Sequence, residues 1–203
     1  MASAILNAPS PSAAPVSRPL KLFTVAEYQQ MVRHGIVKAT DRCHLIRGLI
    51  VRRPPINPPH ATVMSKLYEM LIPLVVGVGC VRPQTPVALA DSQPQPDVTV
   101  AVGRQDDYAT VHPGPKDVLL VIEVADSSLL ADKTEMFQLY AENKLPVYWL
   151  VNIPNRQVEV YTLPRGGKSP TYRGRAVYGP GQAIPVVLAG QAVGSIPVSE
   201  LLP

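Results

Sequence analysis

Two cysteines, Cys43 and Cys80, are all that this 203-residue sequence contains. They are too few for a disulfide framework, and a reducing, cytoplasmic setting is the simplest expectation they leave. Charged residues make up only 17% while hydrophobic residues make up 46%, a balance that excludes wholesale disorder. Long apolar runs are missing: the longest, Met70 to Val81, is broken by Pro73 and two glycines, too short for a membrane span. The start lacks the basic segment and sustained apolar core of a secretory signal. Also missing are a phosphate loop of the G-x-x-x-x-G-K-[ST] kind, a G-x-G-x-x-G turn, a G-x-S-x-G elbow and an H-E-x-x-H helix, so the enzyme classes built on them lose their support. The few cysteines and histidines do not fall at the paired spacing of a structural zinc site.

What is present is proline, periodic apolar sequence and unevenly placed charge. Residues 1–20 are rich in Ala, Ser and Pro, without a pattern that buries a face, and are expected to form a disordered tail. Residues 21–203 are expected to form one domain. Thr24 and Glu27 spell a capping box for a first helix reaching about Gly35. Cys43 to Ile46 and Leu49 to Val51 flank Arg47-Gly48 and predict a hairpin. Pro54, Pro55, Pro58 and Pro59 are expected to forbid regular structure up to His60. From there Val63, Met64, Leu67, Met70, Leu71, Leu74 and Val75 form a helical stripe that Pro73 is expected to kink or end.

Strands are predicted near Val78 to Val81, Val87 to Leu89, Val98 to Val102 and Val118 to Val124, the last a continuous apolar run suited to a central strand covered on both faces. Asp132 with Glu135 repeats the capping pattern and predicts a helix stopping near Leu145-Pro146. Val147 to Val151 and Val158 to Tyr161 follow as strands, with further pieces near Tyr172 to Tyr178 and Ile184 to Leu188. The order predicts a mixed α/β fold, a mixed sheet flanked by helices with additional β elements.

Residues 1–90 carry ten Lys or Arg against three acids, residues 91–150 four against ten, and residues 151–203 five against two. An acidic middle between basic flanks suits a metal-holding centre inside a phosphate-attracting surface, although uneven scatter of surface charge gives the same counts. Within that middle, Glu123 lies inside an apolar strand, where an ionised carboxylate costs several kcal/mol unless paired or metal-bound. Asp97 opens the preceding strand and comes beside Glu123 if the two strands are neighbours. Two close carboxylates repel, and a hard cation such as Mg²⁺ holds both ionised. The competing reading pairs Glu123 with an arginine and leaves Asp97 capping a turn.

Gln95-Pro96-Asp97-Val98, Val121-Ile122-Glu123-Val124-Ala125-Asp126-Ser127-Ser128, Asp132, Leu139-Tyr140-Ala141 and Pro146-Val147-Tyr148-Trp149-Leu150-Val151-Asn152 together resemble the Uma-type endonuclease family of the PD-(D/E)XK restriction-endonuclease-like superfamily. The resemblance spans about residues 22–203, including Asn57-Pro58-Pro59-His60 and the closing Ile196-Pro197-Val198. It implies a restriction-endonuclease-like core in which Asp97, Glu123 and the carbonyl of Val124 bind Mg²⁺ or Mn²⁺, and hydrolysis of DNA by a homodimer.

Two positions depart from the family pattern. His44 stands where an acidic ligand is usual, and Met136 where the active-site lysine is usual. Lys133, one turn earlier on the same helix face, is the candidate replacement for that lysine, or else a solvated first-turn residue. His44 reads as a soft metal ligand, a substrate contact or an ordinary strand histidine. His60, behind a rigid diproline, is a candidate substrate contact or a plain helix-start residue, and Arg47, Arg52 and Arg53 are candidates for attracting nucleic acid. The alternatives to an active endonuclease are a non-catalytic member of the same fold, acting in nucleic-acid binding or as a dimeric interaction module, and a hydrolase of a small phosphorylated substrate.

Overall fold

Helix α1 (Val25–Arg33) opens on the expected capping box, with the Glu27 N–H donating to Thr24 Oγ1 and the Thr24 N–H to Glu27 Oε2, in a computed structural model that describes residues 19–202. The expected tail therefore lies outside the described residues except for its last two. Strands β1 (Cys43–Ile46) and β2 (Leu49–Arg52) pair antiparallel through a two-residue turn. Arg47 and Gly48 both take positive φ there, 48° and 76°, the left-handed pair that a tight hairpin turn demands.

The prolines behave differently from expectation. Pro54 and Pro55 keep the chain irregular, but Pro58 and Pro59 are the first residues of α2 (Pro58–Val75). A proline in the first turn gives up an N–H that has no helical partner anyway. Asn57 caps this helix, its side chain accepting from the His60 N–H at 3.0 Å. Pro73 does not stop the helix, which ends two residues later.

The main sheet has six strands in the order β3 (Gly79–Pro83), β4 (Val98–Val102), β5 (Val118–Ala125), β6 (Val147–Asn152), β7 (Gln157–Arg165) and β8 (Thr171–Tyr178). Only β5 and β6 pair in parallel; the other neighbours are antiparallel. β3 and β4 approach so closely that a Cβ on Gly79 would fall 2.2 Å from the Ala101 carbonyl oxygen, which accounts for glycine at the start of that strand. All eight residues of β5 are buried, as a strand covered on both faces requires.

Alternation along β5 sends Ile122 and Val124 to one face, where Val63, Leu67 and Leu71 of α2 cover them. A second hairpin, β9 (Ala183–Leu188) with β10 (Gln191–Pro197), and the short α5 (Val198–Leu201) extend this layer. Val121, Glu123 and Ala125 point to the other face, under Leu139, Tyr140 and Tyr148.

The run Val87 to Leu89 is not a strand. Its N–H groups pair outside any ladder, Leu89 with the Ser92 carbonyl, Val87 with that of Pro94 and Ala88 with that of Pro113, while Val87 and Leu89 fill the core. Strand β10 was not anticipated, because Gly194 and Ser195 interrupt its apolar pattern. Asp132 does not cap a helix either. Helix α3 (Leu129–Ala131) precedes it, and a π-helical segment (Asp132–Met136) leads into α4 (Phe137–Glu142). Among the described residues, no helix is long and apolar enough to cross a membrane.

Candidate active site

Antiparallel pairing of Val98 with Ile122 sets Asp97 beside Glu123, one residue beyond the ladder. The Asp97 N–H donates to Glu123 Oε2 at 3.3 Å, and the Val124 N–H donates to Asp97 Oδ2 at 2.9 Å. The two carboxylates are nearly inaccessible, at 4% and 7% exposure, and lie at the floor of a cavity of about 190 Å³. The arginine-paired reading of Glu123 does not describe the arrangement. Glu123 Oε1 accepts from the Tyr140 hydroxyl at 2.5 Å, whereas Arg53 Nη2 lies 3.4 Å from Asp97 Oδ1. Asp97 also meets His60 Nε2 at 2.9 Å and Gln84 Nε2 at 3.3 Å.

Burial first, and then the charges of Asp97 and Asp132, push the Glu123 carboxyl well above the usual carboxylate range. Asp132 is raised to about 6, chiefly by its own burial and with a contribution from Asp97. Tyr140 is raised well above its ordinary value by burial and then by Glu123, so its phenol stays a proton donor to that carboxylate. His44 also lines the cavity. Burial, followed by the nearby Arg53 charge, lowers its pKa to about 4, leaving a neutral imidazole at neutral pH.

The donor set suits a hard divalent cation. Oxygens of Asp97 and Glu123 converge, the third carboxylate of Asp132 lines the same cavity, and the Nδ1 atoms of His44 and His60 are buried with no hydrogen-bond partner. Among the described residues no three His, Cys, Asp or Glu side chains are grouped so as to hold a metal ion. Mg²⁺ is bound through one or two carboxylates with several waters retained, so Asp97 and Glu123 are the pair that would hold it.

Of the residues singled out from sequence, Asp97, Glu123, His44, His60, Arg52 and Arg53 all line this cavity. Val124 contributes its N–H to Asp97. Arg47 does not line it, since its guanidinium reaches Glu142 at 2.8 Å. Lys133 is not in the cavity: its side chain is 34% exposed and its Nζ lies 2.7 Å from Oε1 of Glu159, a residue of β7 only 1% exposed. Met136 faces the cavity. Sequence reasoning missed Asp132 as a third carboxylate and Tyr140 as the partner of Glu123. Their spacing on one helix was the available signal, obscured by the wider π turn between them.

Burial by itself raises the Glu159 carboxyl, but hydrogen bonds from Lys133, Tyr161 and Arg175 outweigh it and bring the group to about 2. Its folded value lies below the unfolded one, so this stabilisation is complete above about pH 4.3 and is lost as pH falls through the folded value near 2. Lys133→Ala is expected to lower stability at pH 7 by about 1 kcal/mol and to shrink the loss seen on acidification, while leaving divalent-ion binding unchanged. Chemical denaturation between pH 2 and pH 7 measures the first two effects and calorimetry the third. Lost ion binding in the variant would return Lys133 to the site.

The fold is thus mixed α/β, with a six-stranded sheet that carries Glu123 on β5 and holds Asp97 just before β4. The same architecture is found in a solved chain described as "a putative nuclease belonging to DUF820 from Anabaena variabilis". The two share 16% sequence identity over 88% of this chain and 97% of that one, with a TM-score of 0.66. The profile of the Uma2 family, described as "Putative restriction endonuclease", matches residues 25–198, and the chain belongs to that family. No curated protein matches it.

Proposed function

We propose that the protein is a divalent-metal-dependent endonuclease acting on phosphodiester bonds of DNA, with Asp97 and Glu123 as the metal-binding pair. The observation that carries this reading is the convergence of two buried carboxylates beneath arginines, within a chain of this family. Asp97 and Glu123 would hold Mg²⁺ or Mn²⁺, which when bound would supply Lewis-acid charge to the scissile phosphate and lower the pKa of the attacking water. Arg53 and Arg52 present cationic groups for phosphate oxygens along the cavity wall. Tyr140 fixes the Glu123 carboxylate, and the Val124 N–H fixes that of Asp97. His60 is oriented by Asp97 and by the start of α2.

The test is titration of Mn²⁺ and Mg²⁺ into the purified protein by calorimetry, followed by plasmid nicking under the same conditions. Binding and nicking are expected in the wild type, with both lost in Asp97→Ala. Absence of ion binding in the wild type would overturn the proposal.

A second reading is favoured by one observation, the apolar Met136 in the cavity while Lys133 is held by Glu159. On it the protein binds metal and nucleic acid without turnover, and titration then shows binding without nicking.

A further inference from the structure

The wall over the carboxylate pair restricts what can reach it. The lip of the cavity is the segment Pro54–Asn57, stiffened by two consecutive prolines, and it is fastened at both ends. Arg42 Nη2 donates to the Pro54 carbonyl at 2.9 Å. Asn57 Nδ2 donates to Asp126 Oδ2 at 2.5 Å, joining the start of α2 to the loop after β5. Behind it Asp97 and Glu123, packed against Arg53, His60, Gln84 and Tyr140, are only 4% and 7% exposed. A phosphate on a base-paired duplex is carried on a stiff cylinder with the second strand alongside and reaches a recessed pair less readily than one on an unpaired strand, whose backbone torsions are free.

The lining has the chemistry of a nucleotide. Apolar Val51, Ile56 and Met136 share the cavity with Arg52 and Arg53, surfaces for a base and for its phosphate respectively. Among the described residues no Phe, Tyr or Trp lines it, and its only aromatic rings are the imidazoles of His44 and His60, enough for one base and not for a run of successive bases. We infer that the substrate enters as an unpaired DNA strand, with one nucleotide in the cavity beneath the Pro54–Asn57 lip. This rests on the nuclease reading above and narrows its substrate.

The experiment compares a labelled single strand of about 20 nucleotides with the same strand in a blunt duplex, by anisotropy with Ca²⁺ and by cleavage with Mn²⁺. The full-length protein is expected to bind the single strand about tenfold more tightly and to cleave it preferentially. Asn57→Ser keeps a capping acceptor for α2 but loses the bond to Asp126 and adds no charge beside the phosphate. It is expected to raise duplex affinity severalfold while leaving single-strand affinity within about twofold. Equal or tighter binding and cutting of the duplex by the wild type would overturn this inference and leave the nuclease reading intact. Failure to bind or cut either strand form would overturn both.

Discussion

Glu123→Gln is expected to make the metal-free protein more stable at neutral pH and to abolish its response to divalent ions. Glu123 is a buried acid with no cation of its own, facing the charges of Asp97 and Asp132. Its folded pKa lies above the unfolded value near 4.3, so it costs nothing below that pH, and the penalty grows as pH rises through the folded value. Glutamine keeps an acceptor for the Tyr140 hydroxyl and removes the charge, giving up only the long 3.3 Å bond from the Asp97 N–H. Thermal melts in chelator at pH 7 should show a higher midpoint for the variant, by about 2–4 °C for each kcal/mol relieved. That gain should vanish below about pH 4.3. Adding Mn²⁺ should reverse the order. The wild type gains about 2.7 kcal/mol at a hundred times its dissociation constant, whereas the variant gains nothing, and its nicking falls by about 100-fold or more. A variant less stable than wild type in chelator would contradict the repulsion that the geometry describes.

The second large effect is a gain. Met136→Lys is expected to raise Mn²⁺-dependent nicking by about tenfold or more, and to convert binding into cutting if the wild type only binds. Met136 lies one turn beyond Asp132 and is 6% exposed on the cavity wall. Its side chain is unbranched, so a lysine stem occupies similar space. The new ammonium would enter a cavity holding the carboxylates of Asp97, Glu123 and Asp132, where charge develops on a phosphate during attack. Rates at saturating metal, measured also with Lys133→Ala in the same background, separate this group from the one bound to Glu159. An unchanged rate would show that a cation at this position adds nothing to turnover.

Much of the site was legible because apolar patterning leaves a misplaced charge conspicuous. Glu123 stands out in Val118 to Val124 for that reason, and its neighbour Asp97 follows from strand pairing. The partners of these groups were not legible. Whether an arginine reaches Glu123 or Asp97 depends on how the β1–β2 hairpin docks, and that is a tertiary outcome. The fate of Lys133 was hidden for a similar reason, since Glu159 lies on β7 and meets it only after the sheet assembles. In the fold, periodicity located most helices and strands. It failed at Val87 to Leu89, where apolar side chains serve the core from an irregular backbone, and at β10, where glycine and serine mask the alternation.

The single parallel pairing, β5 with β6, has a consequence for the order in which the molecule can assemble. A hairpin cannot join parallel strands, so the chain from Asp126 to Pro146 must cross over a face of the sheet before β6 can dock. That crossover carries Asp132, Met136 and Tyr140. The pairing is non-local and entropically expensive to close, and Glu123 meets its tyrosine only once the closure is complete. Asp97 meets Glu123 once β4 pairs with β5, whereas Asp132, Met136 and Tyr140 join them only after the crossover closes, so the finished site is expected to be a late product of folding.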